Sequence, residues 1–205
     1  MSHPHFDVID RLAGISPGSA VDRIRSNRQV ARDNAQTSYA ALFAPATPGT
    51  VLLEERFAIA YFVAGLHRDE TIATFYRDQL VALGRRGLVD AVSAEIVRGQ
   101  ATGPYGSYPA GPLSSEDKPG LEYRPDSANR DVLGRLGAAF SHAHLLVFRP
   151  RDASSAALGM LLNAGWITDD IVKLSQLIAF LSFQIRVVTG LRALAASQQQ
   201  AVAAE

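Results

Sequence analysis

The apolar residues of this 205-residue chain recur three and four positions apart, and no other feature constrains its fold as strongly. This spacing lines up apolar side chains on one face of an α-helix, whereas a half-buried β-strand needs strict alternation, which is nearly absent here. We therefore expect an all-α protein. The spacing predicts helices over residues 19–45, 51–66, 69–84, 88–97, 127–148, 154–164 and 168–195.

A segment rich in Gly and Pro, residues 99–126, interrupts the helical spacing. It contains Tyr105, Tyr108 and Tyr123, and aromatic side chains are uncommon in plain linkers. Two alternatives stay open: the segment covers a neighbouring helix or subunit, or it is disordered. We expect one domain over residues 1–205, made of an N-terminal helical half (1–98), this loop (99–126), a C-terminal helical half (127–196) and a frayed tail (197–205).

Charge and cysteine content exclude several classes of function. Lys plus Arg equals Asp plus Glu at 20 each, so no net field draws the chain to nucleic acid or anionic lipid. The absence of cysteine excludes disulfides, thiolate metal sites and a cysteine nucleophile. Residues 1–10 lack the pattern of a secretory signal, and the most apolar stretch, residues 177–191, is shorter than a bilayer span. We expect a cytoplasmic protein without nucleic-acid or membrane partners.

Two of the predicted helices are apolar around most of their circumference. Residues 57–64 are apolar on every side, and the last helix carries apolar residues on two sides, which indicates that both are central. Arg186 lies within the last helix and needs either solvent or a carboxylate. We expect Glu54 or Glu55 to be its partner, with an exposed arginine as the alternative.

Glu55 is the first candidate for acid or base chemistry. It shares a helix face with Ile59 and Phe62, so its carboxylate is expected at the edge of an apolar surface, as a general acid or base requires. The alternative is that a carboxylate in the first turn of a helix acts as a cap or as a partner of the helix dipole.

The histidines do not form the pattern of a metal site. On a helix over residues 132–148, His144 falls on the apolar stripe and His142 falls nearly opposite, beside Arg135. One helix cannot direct both at one ion, so we expect no metal and no cofactor. His144 and His67 are candidates to assist Glu55, and a satisfied core histidine is the alternative for His144.

Two segments carry a resemblance to a known family: LLEERFAIAYFVAGLHRDETIATFYRDQL (Leu52 to Leu80) and LLNAGWITDDIVKLSQLIAFLSFQIRVVTGL (Leu161 to Leu191). In the second, a short helix, an AG-aromatic turn, an acidic cap, DIVKLSQLIAF and a later Arg follow one another. The chain resembles the carboxymuconolactone decarboxylase and AhpD-like alkylhydroperoxidase superfamily. The resemblance implies an AhpD-like helical fold and homo-oligomers, from dimers to hexamers, that associate through such helices.

In the peroxidase branch of that superfamily, a glutamate-bearing helix leads into C-x-x-C and a histidine. The corresponding stretch here reads HRDETIATFY and has neither cysteine. The family glutamate falls on Glu55 or, in another register, on Phe57, and Tyr76 or Phe75 falls near the histidine. The peroxidatic residues therefore do not carry over. The decarboxylase branch, which uses acid-base chemistry without obligatory thiols, is less affected.

These observations lead to two expectations about function. The first is an enzyme that carries out cofactor-free acid-base chemistry on a small organic substrate. Glu55 would act as acid or base, His67 or His144 would assist, and Arg186 and Tyr76 would bind the substrate. The second is a non-catalytic paralogue that serves as a binding or scaffold subunit. An enzyme needs polar groups that converge in a cavity, whereas a scaffold needs a filled core and an apolar interface.

Overall fold

A computed structural model describes residues 7–47 and 49–203, the last three as backbone only. Within these ranges the chain forms ten α-helices and no β-strand, and one isolated bridge pairs Gly106 with Lys118. The prediction of an all-α protein is confirmed, while the AhpD-like topology stays a prediction. The helices are α1 (Val8–Ala13), α2 (Ala20–Ser26), α3 (Gln29–Phe43), α4 (Leu53–Leu66), α5 (Glu70–Ala82), α6 (Arg86–Arg98), α7 (Arg130–Leu133), α8 (Leu136–Phe148), α9 (Ser155–Asn163) and α10 (Thr168–Ala203).

The contacts divide the chain into two compact units, which differ from the predicted halves. Unit 1 is Met1–Thr47 with Ser182–Glu205, and unit 2 is Pro48–Leu181. The prediction of one domain over the whole chain stays a prediction. The predicted frayed tail is wrong for the described residues, because α10 continues as a helix to Ala203. Residues 204 and 205 lie outside the described residues.

In unit 1, the predicted helix over residues 19–45 is divided in two. Ser19 caps α2 as expected, since its Oγ accepts a hydrogen bond from the N–H of Asp22 at 3.2 Å. The helix ends at Ser26, whose Oγ donates to the carbonyl oxygen of Asp22 at 2.9 Å. A serine bonded back to the preceding turn weakens a helix, and Asn27, which follows, has a low helix propensity.

An ion network joins the three helices of unit 1. Asp7 caps α1 and accepts hydrogen bonds from Arg25 of α2 at 3.1 Å and from Arg32 of α3 at 3.2 Å. Both arginines also contact Asp10, and Arg32 reaches Asp22 at 3.0 Å. Asp7 is only 8% exposed, so these arginines, and not water, stabilise its negative charge.

In unit 2, α4 is the buried helix, as predicted from its apolar residues. Ten of its fourteen residues are buried, and it packs against α5, α6 and α8. Asp69 caps α5 by accepting a hydrogen bond from Ile72, and Gly84 follows α5 in a left-handed conformation, as expected. The predicted helix over residues 127–148 is interrupted at Gly134, whose φ of 50° ends α7 before α8 begins.

The loop over residues 99–126 is folded onto unit 2, so the alternative of disorder is wrong. Tyr105 is 4% exposed, its ring stacks on Phe148 with a centroid distance of 6.2 Å, and its hydroxyl donates to the carbonyl oxygen of Leu121 at 2.8 Å. Gly120 lies against this ring, because a Cβ there would fall 2.1 Å from it. The loop therefore covers a neighbouring helix, α8.

The far end of this loop is held by Glu95 of α6, which is fully buried. Its carboxylate accepts hydrogen bonds from the hydroxyl of Tyr123 at 2.7 Å, from the N–H of Asp126 at 2.9 Å and from the amide of Asn129 at 2.7 Å. Burial and the neighbouring carboxylate of Glu95 raise the pKa of Tyr123, so the hydroxyl stays protonated and donates.

One helical stretch, Thr168–Gln200, is long and apolar enough to cross a membrane by length and composition. Half of its most apolar window is buried within the protein. This is weak evidence for a span, because the core helix of a folded protein meets the same criteria.

Replacing Asp7 with Ala is expected to lower the free energy of unfolding by about 2 to 4 kcal/mol, because the change leaves a buried arginine with fewer partners. The matched control is Asp33→Ala, since Asp33 is exposed and contacts only Gln29 among the hydrogen bonds described. The control is expected to stay within about 0.5 kcal/mol of the unchanged chain in urea unfolding. Equal losses in the two variants would contradict a special role for the network.

The network also predicts a pH dependence. Burial alone would raise the pKa of Asp7, but the N–H of Asp10 and the guanidinium of Arg25 outweigh it and lower this pKa below 3.8. A lowered folded pKa adds stability that is present above the unfolded value and is lost as pH falls through the folded value. Urea unfolding of Asp7→Asn is therefore expected to show a weaker loss of stability below pH 4 than the unchanged chain.

Candidate functional site

Glu55 lies in the first turn of α4 and is only 7% exposed. Its Oε1 accepts a hydrogen bond from Nε of Arg135 at 2.6 Å, and its Oε2 accepts one from Nη2 at 2.7 Å. The same Oε2 also accepts from the N–H of Leu52 at 2.8 Å, so the carboxylate caps its own helix. Both oxygens of Glu55 are therefore bound within the protein, in a bidentate pair of the strongest type.

Arg135 immediately precedes α8 and connects three parts of unit 2. Its guanidinium carbon lies 3.9 Å from the centre of the Trp166 ring, and Nε1 of Trp166 donates to its carbonyl oxygen at 2.9 Å. Nη2 of Arg135 also donates to the carbonyl oxygen of Thr50 at 2.7 Å. Its Nη1 is 3.7 Å from Oδ2 of Asp170, in the first turn of α10.

We call Glu55, Arg56, Arg135 and Asp170 the charged cluster. It holds two carboxylates and two guanidinium groups, so its charges balance. Asp170 is 1% exposed and accepts a hydrogen bond from Oγ1 of Thr50. Burial lowers the pKa of Arg56, with the nearby carboxylates of Asp170 and Glu55 acting against the shift. Hydrogen bonding to Glu55 raises the pKa of Arg135. These contacts hold the first turns of α4, α8 and α10 together.

His144 is a core residue, in agreement with the alternative considered from the sequence. It is 1% exposed, its ring stacks on Tyr123 at 5.1 Å, and its Nε2 lies 3.1 Å from the carbonyl oxygen of Gly99. A carbonyl oxygen only accepts, so Nε2 carries the proton. Burial lowers the pKa of His144 to about 4, and the ring is therefore neutral near pH 7.

His142 differs from expectation, because it is buried and does not face away from the core. It is 6% exposed, and its Nε2 is 3.0 Å from Oγ of Ser175. The hydroxyl of Ser175 donates to the carbonyl oxygen of Ile171 at 2.9 Å, so Nε2–H of His142 is the donor in the first bond. Burial lowers the pKa of His142.

Tyr76 and His67 differ in their exposure to solvent. Tyr76 of α5 is fully buried, and its ring lies 5.1 Å from that of Phe75 and 6.4 Å from that of Phe57. His67 is partly exposed and ends α4, donating its backbone N–H to the carbonyl oxygen of Val63. Tyr76 therefore packs in an aromatic core.

The predicted partnership of Arg186 with Glu54 or Glu55 is wrong. Glu54 pairs with Arg85 at 2.9 Å, and Glu55 pairs with Arg135. Arg186 is exposed, and its Nη1 donates to the carbonyl oxygen of Ser182 at 3.4 Å. The helical position of Arg186 lets its long side chain reach water, which removes the need for a carboxylate.

The described chain has grooves of ligand size away from these residues. One in unit 2, about 510 Å³, lies among α4, α5 and α6, and one in unit 1, about 500 Å³, lies between the turn after α1 and the end of α10. None of Glu55, His67, Tyr76, His144 and Arg186 lines either groove. Across residues 7–47 and 49–203, no group of three His, Asp or Glu side chains is arranged to hold a metal ion.

Comparison with models of known families, with curated proteins and with solved structures finds no match to this chain.

The pairing of Glu55 with Arg135 predicts strong coupling between them. Arg135→Gln leaves the buried carboxylate of Glu55 without its partner, and Glu55→Gln does the same to the half-buried guanidinium of Arg135. Each is expected to lower the free energy of unfolding by about 2 to 4 kcal/mol. The double variant is expected to lose much less free energy of unfolding than the two single variants together, with a coupling energy of about 2 kcal/mol in urea unfolding. Additive losses would contradict the pair.

The matched control for this cycle is Glu54→Gln with Arg85→Gln. Glu54 is next to Glu55 in the first turn of α4, but it and Arg85 are partly exposed, at 30% and 49% for the two side chains. Its coupling is expected to stay below about 1 kcal/mol.

Because the pKa of His144 is lowered, the protein is expected to lose stability as the pH is lowered from 6.5 to about 4. In this window the unfolded chain takes up a proton that the folded chain excludes, so the loss is on the order of 2 to 3 kcal/mol. His144→Gln is expected to reduce this slope in urea unfolding at several pH values. Some slope remains, because burial also lowers the pKa of His142. An unchanged slope in the variant would show that His144 is not the buried neutral group.

Proposed function

We propose that this chain is a cysteine-free member of the carboxymuconolactone decarboxylase and AhpD-like superfamily that acts as a non-catalytic binding or scaffold subunit. It associates with further copies of itself, in an assembly between a dimer and a hexamer, and resides in the cytoplasm. The observation that carries the proposal is the bidentate pair between Glu55 and Arg135.

The first support is that the candidate catalytic groups are already engaged in holding the fold. Glu55 accepts three hydrogen bonds within the protein, so both of its oxygens are already bound by Arg135 and by its own helix. His144 is neutral and stacked in the core, and Arg186 is exposed. An acid-base enzyme would need such groups to converge on a cavity.

The second support is the surface of α9. Among its nine residues only Leu161 is buried, whereas Leu158, Met160 and Leu162 are 42%, 57% and 50% exposed. Ile167, just after the helix, is 52% exposed. A helix that is apolar on its solvent side is usually covered by a partner, because leaving several large apolar side chains together in water is unfavourable.

The partner that best fits this surface is a second copy of the same chain. Residues 153–168 contain no charged side chain, so two copies can bring this surface together without like charges meeting. A closed pair related by twofold symmetry places the same patch on both sides of the interface. The leucines Leu158 and Leu162 lie four residues apart, which puts them on one face of α9.

A second candidate function is an enzyme with cofactor-free acid-base chemistry on a small organic substrate. One observation favours it: the groove of unit 2 is lined by Arg68, Asp69, Glu70 and Ala73, which belong to the stretch HRDETIATFY. That stretch corresponds in position to the reactive segment of the peroxidase branch, without its cysteines. Turnover of a small organic substrate that is abolished by Glu70→Gln would favour this candidate over the scaffold.

The association is tested by replacing Leu158 and Leu162 together with Glu. Charges on both copies would repel each other across the apolar surface, so the assembly is expected to dissociate to a smaller species. The mass of the purified protein by sedimentation equilibrium measures the change. A matched control is Ala94→Glu with Val97→Glu, two exposed positions on α6.

The control is expected to keep the mass of the unchanged chain, and circular dichroism should show that both variants remain helical. A monomeric unchanged chain at high protein concentration, or a leucine variant that keeps its full mass, would overturn the proposed association.

A further inference from the structure

The groove in unit 2 is lined by both apolar and polar residues. Gly65 of α4 lies directly against Ile96 of α6, since a Cβ on Gly65 would fall 2.5 to 2.7 Å from the Ile96 side chain. Gly65 and Ile96 line the groove together with Ala73 of α5 and Tyr61. The hydroxyl of Tyr61 is held by Oγ of Ser93 at 2.9 Å, which fixes the ring. A volume of about 510 Å³ is within the range of small-molecule sites.

Arg68 lines this groove and is held by a neighbouring side chain. Its Nε donates to Oε1 of Gln100 at 2.8 Å, and Nε2 of Gln100 donates to the carbonyl oxygen of Gly65 at 2.9 Å. This bond uses one of the five N–H donors of the guanidinium. The side chain is exposed, so the fork of remaining donors has water as its alternative partner.

The backbone of Arg68 is left-handed, with φ at 59°, in the position after the end of α4 where helices usually place Gly. A side chain there strains the backbone, and the chain carries an arginine in spite of this strain.

Opposite in sign to Arg68, Glu70 lines the same groove from the first turn of α5. Within residues 7–47 and 49–203, neither Arg68 nor Glu70 belongs to an ion pair. Asp69, between them, is used as the cap of α5. One groove thus presents a guanidinium and a carboxylate that do not neutralise each other.

We infer that this groove binds a small zwitterion of the amino-acid type, with an apolar side chain. The guanidinium of Arg68 receives the ligand carboxylate, Glu70 receives its ammonium group, and Ala73, Ile96 and the ring of Tyr61 contact its apolar part. This deepens the proposed role as a binding subunit and rests on it.

A ligand of one charge fits this groove less well. A simple carboxylate gains the bond to Arg68 but lies near Glu70, and a simple amine gains the bond to Glu70 but lies near Arg68. Only a molecule with both groups satisfies both residues, because each charged partner then meets its opposite.

The test compares three probes of nearly equal size by isothermal titration calorimetry: L-phenylalanine, 3-phenylpropionate and 2-phenylethylamine. L-phenylalanine is expected to bind at least about 10-fold more tightly than either of the others, since it alone makes both charge-assisted contacts. Equal binding of 3-phenylpropionate, equal binding of 2-phenylethylamine, or no binding of L-phenylalanine at several millimolar would overturn the inference.

Two variants separate the contacts. Arg68→Gly is expected to weaken the binding of L-phenylalanine about 10-fold or more and to leave the binding of 2-phenylethylamine unchanged. Glycine adopts the left-handed backbone at this position without strain, so the Tm of the Arg68→Gly variant should not fall. Lost binding therefore cannot be attributed to unfolding. Glu70→Gln is expected to weaken the binding of L-phenylalanine and of 2-phenylethylamine alike. Arg77→Gln, on α5 but outside the groove, is the matched control and should bind as the unchanged chain does.

An Arg68→Gly variant that retains full affinity would overturn the inference even if L-phenylalanine binds. Failure of the proposed function is distinguishable from failure of this site. Association that persists without L-phenylalanine binding overturns the site alone. Chemical conversion of bound L-phenylalanine supports the site and overturns the non-catalytic role.

Discussion

The pair between Glu55 and Arg135 is the interaction on which the arrangement of unit 2 depends. Glu55 opens the buried helix α4, and Arg135 precedes α8. Through its contacts with Trp166 and Asp170, the same guanidinium reaches the start of α10. Three helical segments that are far apart in sequence therefore begin around one guanidinium, which contacts the buried carboxylates of Glu55 and Asp170. Because a buried charge is tolerated only with its partners, the segments are held in one arrangement.

The same pair is the main reason for proposing a binding subunit over an enzyme. A carboxylate that accepts three hydrogen bonds at the head of its own helix has a structural role. In the proposed function, a chain without cysteine that uses this glutamate to hold its own helices acts as a binding subunit. The apolar surface of α9 and the charged groove beside α5 then provide the two surfaces through which such a subunit can act.

Much of the fold could be predicted because it depends on local patterns. The apolar spacing predicts the helices, and Ser19 and Asp69 begin helices as their side chains allow. The breaks within two predicted helices were missed, at Ser26 and at Gly134. The glycine offers a signal, since an isolated Gly inside a helical pattern permits a left-handed turn, while the end of α2 has only a weak one in Ser26 and Asn27.

The site could not be predicted in the same way, because it depends on which distant residues meet. Glu55 was identified, but its partner Arg135 lies eighty positions away, and helical periodicity does not show which distant side chains meet. Glu95 was missed for a similar reason: on its own helix it resembles any solvated carboxylate, and only the returning loop with Tyr123 buries it. Arg186 shows the opposite error, since an arginine among apolar residues can still extend to water.

The most direct test of this account is the exchange of the Nε–H proton of Arg135 with water, followed by ¹⁵N NMR. If Glu55 holds this group in a bidentate pair, the proton is expected to be protected from exchange, whereas that of the exposed Arg186 exchanges freely. Arg135 exchanging as fast as Arg186 would contradict the account, because the carboxylate of Glu55 would then be open to a substrate.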